Sequence, residues 1–442
     1  MSEVSLPSSR EPTWFGHPRG LTILFLTEMW EIFSYYGMRA LLVYYMTKQL
    51  LLGQAQASMV YGLYTATVYL TPIVGGVISD RWLGRRRSVI LGGSIMALGH
   101  FMMASESLFY PALAVIALGN GLFMPSLPSQ VVGLYRPDDP RRGSAFNLYY
   151  VGINLGALLA PLVCGTLGET FGWHWGFAAA GVGMAGGLAI YVAGARYLPP
   201  EPLRAAERGR ADEPPPGDLA RRLWLLAGVA ATVVIFRVAY EQLGNTVALW
   251  ADQGVDRHVG GWTIPMTWFQ SLNPLLVFAL TPVLVARWTD AARRGREPSS
   301  IVKMAIGAAV VGASFLLLGA VDLWTGGARA SWVWLAVFFA VLTVGELYIL
   351  PVGMGLFGRL APPRIAATTI AVWCLALFAG NLAAGVVGVL WGRMPHGQYF
   401  LLMAAFAGAS SLILLLFDRP AQRVEAGAAT PGTVPVAEGA VS

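Results

Sequence analysis

Glu28, Glu31, Tyr35 and Arg39 fall at i, i+3, i+7 and i+11 of one apolar run, Leu21 to Met46. A helix over that run sets all four on one face. At about 1.5 Å per residue the run is long enough to cross a bilayer. Two carboxylates, a phenol and a guanidinium are costly against lipid, so they should face a protein interior or a water-filled cavity. There they can carry protons, pair with one another or hold a charged solute; the blander reading is a polar seam that only glues helices together. Later runs add Arg237 and Glu241, one helical turn apart, and Glu346. Four acids and two bases in apolar runs leave a surplus of carboxylate, which must either carry protons or be neutralised by a cationic solute.

The elements that must position these side chains are membrane spans. The chain has 442 residues, 56% of them hydrophobic and 12% charged, with a mean hydropathy of +0.58. That is too apolar for a soluble protein of this size. Twelve spans are expected: Leu21–Met46, Met59–Ile78, Val89–Ala104, Tyr110–Val132, Phe146–Leu167 and Trp173–Tyr197, then Leu223–Trp250, Thr263–Ala286, Val302–Ala320, Trp332–Leu356, Ile365–Leu390 and Tyr399–Phe417. The net charge of +6 does not indicate nucleic acid, because the basic residues sit in short loops. One set of loops holds most of them, including Arg81, Arg85–Arg87, Arg141, Arg142, Arg221, Arg222, Arg293 and Arg294; the other set has Lys48, Arg257, Arg329 and Arg393. The positive-inside rule then puts both termini in the cytoplasm. The expected division is a polar segment 1–20, a six-helix bundle 21–197, a Pro-rich linker 198–220 with no room for extra membrane helices, a second bundle 221–417, and a disordered tail 418–442. Six spans on each side of a linker suggest two pseudo-repeated bundles with a site between them at the midplane. The first apolar run is too long for a cleaved signal peptide. Cys164 and Cys374 read as small buried hydrophobes, and no histidine pair has metal-ligand spacing, so neither a metal nor a cofactor is expected.

Gly75-Gly-Val-Ile-Ser-Asp80-Arg81-Trp-Leu-Gly84-Arg85-Arg86-Arg87 resembles the loop signature of the major facilitator superfamily. Within it, Glu28-Met-Trp-Glu31-Ile-Phe-Ser-Tyr-Tyr36-Gly-Met-Arg39 resembles the first-helix signature of the proton-coupled oligopeptide transporters. Phe146-Asn-Leu-Tyr-Tyr-Val-Gly-Ile-Asn154, Trp173-His-Trp-Gly-Phe177, Tyr240-Glu241-Gln-Leu-Gly, Trp268-Phe-Gln-Ser-Leu-Asn273-Pro and Gly345-Glu346-Leu-Tyr-Ile-Leu-Pro are similar to further signatures of that family. The similarity runs from about residue 20 to 417. It implies a monomeric, all-α carrier of di- and tripeptides in the inner membrane, driven by protons. By the same resemblance Glu346 receives the peptide amino terminus with Asn154 and Asn273; Tyr36, Tyr69 and Trp373 line the pocket; Arg39 reads the carboxylate and pairs with Glu241 to close the outward gate; and Glu28 and Glu31 belong to proton coupling.

Three positions depart from the family pattern. Ile32 stands where an arginine follows the second glutamate, Met124 replaces a lysine of the fourth span, and Arg237 occupies a site where an aromatic is expected. The first two remove cations that the family uses for coupling and for the peptide carboxylate. An alternative is therefore a related carrier or exporter of a cationic or non-peptide solute, with altered or absent coupling. A sensor that binds peptides without transporting them is a weaker possibility. An enzyme would need a nucleophile with its base, or metal ligands, and none stands out.

Overall fold

The structure is a computed structural model; it describes residues 14–136, 139–199, 219–360 and 366–428. The expected twelve spans appear as twelve long helices. In the first half these are α1 Arg19–Tyr44, α2 Gln54–Leu83, α3 Arg85–Met102, α4 Phe109–Gly133, α5 Arg141–Phe171 and α6 Trp173–Ala193. In the second they are α7 Leu219–Gln253, α8 Met266–Arg293, α9 Ser300–Thr325, α10 Trp332–Leu360, α11 Ala366–Gly388 and α12 His396–Leu416. Ten are long and apolar enough to span a bilayer on composition alone. The other two, α1 and α3, are diluted by polar side chains, the intramembrane acids in α1 and Arg85–Arg87 at the start of α3.

Several boundaries move. α3 begins at Arg85 rather than Val89, because Gly84 takes a left-handed φ of 80° and restarts the helix directly after α2. α8 runs on to Arg293, beyond the expected Ala286. α7 starts at Leu219, so the last two residues assigned to the linker are helical; 200–218 lie outside the described residues, as do 1–13. The tail from 418, expected to be disordered, begins instead as a helix, α13, Asp418–Ala428. Ala421 and Val424, one turn apart, are buried against the second half, and Ser299 Oγ donates to Asp418 at 2.5 Å. Residues 429–442 lie outside the described residues.

Each half has its own core. The second is built on Val233, Phe236, Phe315, Leu342 and Phe400. The first holds two clusters along α1, one with Leu41, Phe109 and Phe177 and one with Leu24, Phe123 and Tyr191. The halves meet along α2 against α11 and α5 against α8. At the first of these crossings the backbones nearly touch: a Cβ on Gly62 would lie 2.8 Å from Gly385 N and 3.0 Å from Asn381 O. Only a residue without a side chain permits that approach.

Hydrogen bonds between the halves gather at the end away from the chain termini, called the far end below. Tyr44 on α1 donates to Ala248 O at 2.8 Å, Ser58 on α2 to Asn245 at 2.9 Å, and Gln54 to Gly388 O at 2.9 Å. At the rim Lys48 pairs with Asp252 at 2.8 Å. The Glu169 carboxylate at the end of α5 accepts from Met266 N, Thr267 N and Thr267 Oγ1 at 3.0, 3.0 and 2.6 Å. It thereby caps the first turn of α8 from the other half. The far end is closed.

Candidate functional site

The site forms where α7 breaks. The α-helix ends at Tyr240, Glu241–Gly244 form a tighter 3₁₀ turn, and the helix resumes at Thr246. A break at membrane depth frees backbone groups that must be satisfied by neighbours. Gln242, fully buried, donates to Val238 O and Ala384 O, both at 3.0 Å, and accepts from Thr246 Oγ1 at 3.0 Å. The break sets the Glu241 carboxylate at the plane between the halves, 3% exposed.

Two guanidiniums meet that carboxylate. Arg39 Nη2, from α1, donates to Glu241 Oε2 at 2.7 Å, while Arg39 Nε donates to the Tyr61 hydroxyl of α2 at 2.7 Å. Arg237 Nη2, one turn before Glu241 on α7, forms an ion pair with Oε1. The Arg39 guanidinium lies over Tyr36 and Tyr61, each 5.7 Å from the ring centre, and Arg237 lies between Tyr69 at 5.5 Å and Tyr240 at 5.3 Å. Aromatic faces favour buried cations at such distances.

Glu346 on α10 faces the same gap, with Tyr36 and Tyr150 of the first half and Tyr240 of α7 in its field. Asn273 Nδ2 on α8 donates to Glu346 Oε2 at 2.5 Å and to Thr343 Oγ1 at 3.1 Å. Asn273 is thus held as a donor aimed at the carboxylate. On α1, Glu31 is buried beside Glu28. The Tyr149 hydroxyl of α5 faces Glu28, and Tyr64 of α2 lies near Glu31.

The structure therefore brings Arg39, Arg237, Glu241, Tyr36 and Tyr69 together, with Glu346 and Asn273 alongside. Glu28 and Glu31 sit together on α1, and two further expected site residues are held by other contacts. Asn154 Nδ2 turns back to Tyr150 O on its own helix at 3.0 Å. Trp373 is packed into the second core, edge-on to Phe357 at 4.9 Å between ring centres. Tyr61 and Tyr240 are partners that reasoning on sequence missed. Tyr240 adjoins Glu241 in the chain, which was the available signal; Tyr61 had none beyond its presence in a span.

The chain matches the sequence profile of the POT family over residues 86–205 and 217–401. It belongs to the POT family. Among relatives, it is 33% identical to the peptide transporter YePEPT of Yersinia enterocolitica, across 96% of this chain and 98% of that one. It is 32% identical to a di-/tripeptide transporter of Lactococcus lactis, across 93% and 97%. A crystal structure of a peptide transporter POT with sulfate superposes with a TM-score of 0.83 at 31% identity, across 94% and 97%. One of a POT family transporter with 5-aminolevulinic acid gives 0.84 at 27% identity, across 92% and 98%. The chain is thus a multi-pass membrane transporter with the twelve-helix major facilitator fold, as its own spans and motifs led one to expect.

Proposed function

We propose that this POT protein moves di- and tripeptides, or solutes of that shape and charge, by alternating access, with protons as the driving ion. The carrying observation is that Glu346, held by Asn273, and Arg39 face one gap from opposite halves beneath a closed far end. A peptide is a zwitterion, and an acid on one wall with a guanidinium on the other complements its two ends. The relatives named as peptide and di-/tripeptide transporters support that substrate class. Basic loops at the terminus end support a cytoplasmic position for the termini in the inner membrane, which makes the closed far end the outward one. Glu31, buried, and Glu28 beside it, half-buried, with Ile32 rather than an arginine after them, carry the proton.

A second reading has an observation of its own. Met124, where the family resemblance implies a lysine, is an apolar side chain 42% exposed. A cationic or amidated peptide-like solute would suit a site that has lost this cation. The test is uptake of a labelled neutral dipeptide into proteoliposomes, with and without an inward proton gradient, for the parent chain and for Ile32→Arg/Met124→Lys. Gradient-driven accumulation by the parent is the expected result. Accumulation by the double variant alone transfers the parent to another solute.

A further inference from the structure

Nothing in the transport cycle proposed above requires Arg237, yet its position is built. Its side chain is 4% exposed, its guanidinium sits between Tyr69 and Tyr240, and its Nε makes no hydrogen bond. Its stem fits because residue 380 of α11 is glycine; a Cβ there would lie 3.0 Å from Arg237 Cγ. Of the two guanidiniums on Glu241, Arg237 is the one that travels with the carboxylate. Glu241 divides its oxygens between Arg39, in the other half, and Arg237, on its own helix.

Opening the far end must part the halves and therefore draw Arg39 away from Glu241. Were Arg39 the sole partner, a carboxylate 3% exposed would be stranded, a state so unfavourable that the group would take up a proton instead. With Arg237 one turn away the carboxylate keeps a counter-charge in either conformation. We propose that Arg237 is a resident counter-ion standing in for a proton on Glu241, so that Arg39 can leave the gate and meet a substrate carboxylate while Glu241 stays ionised. The proposal rests on the alternating-access reading. Its consequence is a division of labour: the gate pair exchanges no proton, and any coupling proton belongs to other acids, Glu28 and Glu31 foremost.

The groups facing Glu241 decide the controls. They are Arg39 and Tyr36 from α1, Tyr61 from α2, Arg237 and Tyr240 from α7, and Glu346 from α10; the α11 residues at this contact, Gly380 and Ala384, carry no titratable group. Glu346, Glu28 and Glu31 are unchanged in every variant below, so only the pH dependence added by changing Arg237 is informative.

The experiment is a spin-label distance measurement between Leu51→Cys and Val259→Cys, both exposed on far-end loops of opposite halves, with Cys164→Ala and Cys374→Ala, in nanodiscs without substrate. In Arg237→Phe the open fraction at pH 8 should fall about tenfold or more below the parent, yet recover to the parent value near pH 5.5. In a Glu241→Gln background the same change should shift the open fraction equally at both pH values. An equal shift at both pH values with Glu241 intact overturns the proposal. So does a pH-dependent shift that survives Glu241→Gln. If Arg237→Phe does not fold, Arg237→Gln serves by the same criterion: a deficit confined to pH 8 supports the proposal, and an equal shift or no shift at both pH values overturns it. Because the distance needs no substrate, a protein that gates as described but accumulates no dipeptide would count against the transport reading alone.

Discussion

Arg39 Nη2 and Glu241 Oε2 lie 2.7 Å apart although they belong to different halves of the molecule. Their separation is therefore a direct reading of whether the far end is open. Arg39 uses the breadth of its guanidinium, giving Nη2 to Glu241 and Nε to Tyr61. A lysine carries the same charge on a single nitrogen without that fork. In Arg39→Lys, dipeptide exchange in proteoliposomes should fall about tenfold or more while the melting temperature changes by only a few degrees. Exchange within twofold of the parent would show that charge alone serves the gate.

The Asn273–Glu346 contact yields a prediction on affinity. Asn273→Ala deletes a donor to a carboxylate, and bonds of that kind are worth about 1.5–3 kcal/mol. If Glu346 receives the substrate ammonium, its orientation matters for binding rather than for the conformational cycle. The Michaelis constant for a neutral dipeptide should rise about tenfold or more, with the maximal rate within a factor of a few. A fall in maximal rate at unchanged Michaelis constant would place Asn273 in the conformational step instead.

The α2–α11 crossing can be wedged. Gly62→Val puts carbon where Gly385 N and Asn381 O already stand, and overpacking of this kind costs about 1–3 kcal/mol. The strain falls on the closed far end. Thiol labelling at Ala248→Cys, buried in that interface, should therefore speed up in the Gly62→Val chain relative to its parent. An unchanged labelling rate would mean that the helices slide to accommodate the valine.

The parts of this site that were legible in the sequence were its charges. Glu28, Glu31, Arg39, Arg237, Glu241 and Glu346 stand out because ionised side chains are expensive in apolar runs, and the i, i+4 spacing of Arg237 and Glu241 already allowed the pair that the structure shows. Phenols were not legible in this way. Tyr61 bonds to Arg39 whereas Tyr44 bonds to a backbone carbonyl, and a tyrosine in a span reads the same in either role. Trp373 went to core packing, which a sequence cannot distinguish from lining a cavity. The break in α7 had no proline to announce it; it is held by Gln242 reaching Ala384 O on α11, 142 residues away, a contact invisible to local propensity. The tail helix α13 was missed because it has few apolar residues; Ala421 and Val424 pack on the second core, and Asp418 accepts from Ser299.

The clasp at Glu169 has a consequence for how this fold can vary. Two of the three hydrogens it holds belong to the backbone amides of Met266 and Thr267. Those two bonds survive a change of side chain at 266 as far as its packing in the second core allows, and only the Thr267 hydroxyl ties side chain to side chain. Searches for co-varying residue pairs should therefore see Glu169 with residue 267 and pass over residue 266, even though its amide joins the two halves of the transporter.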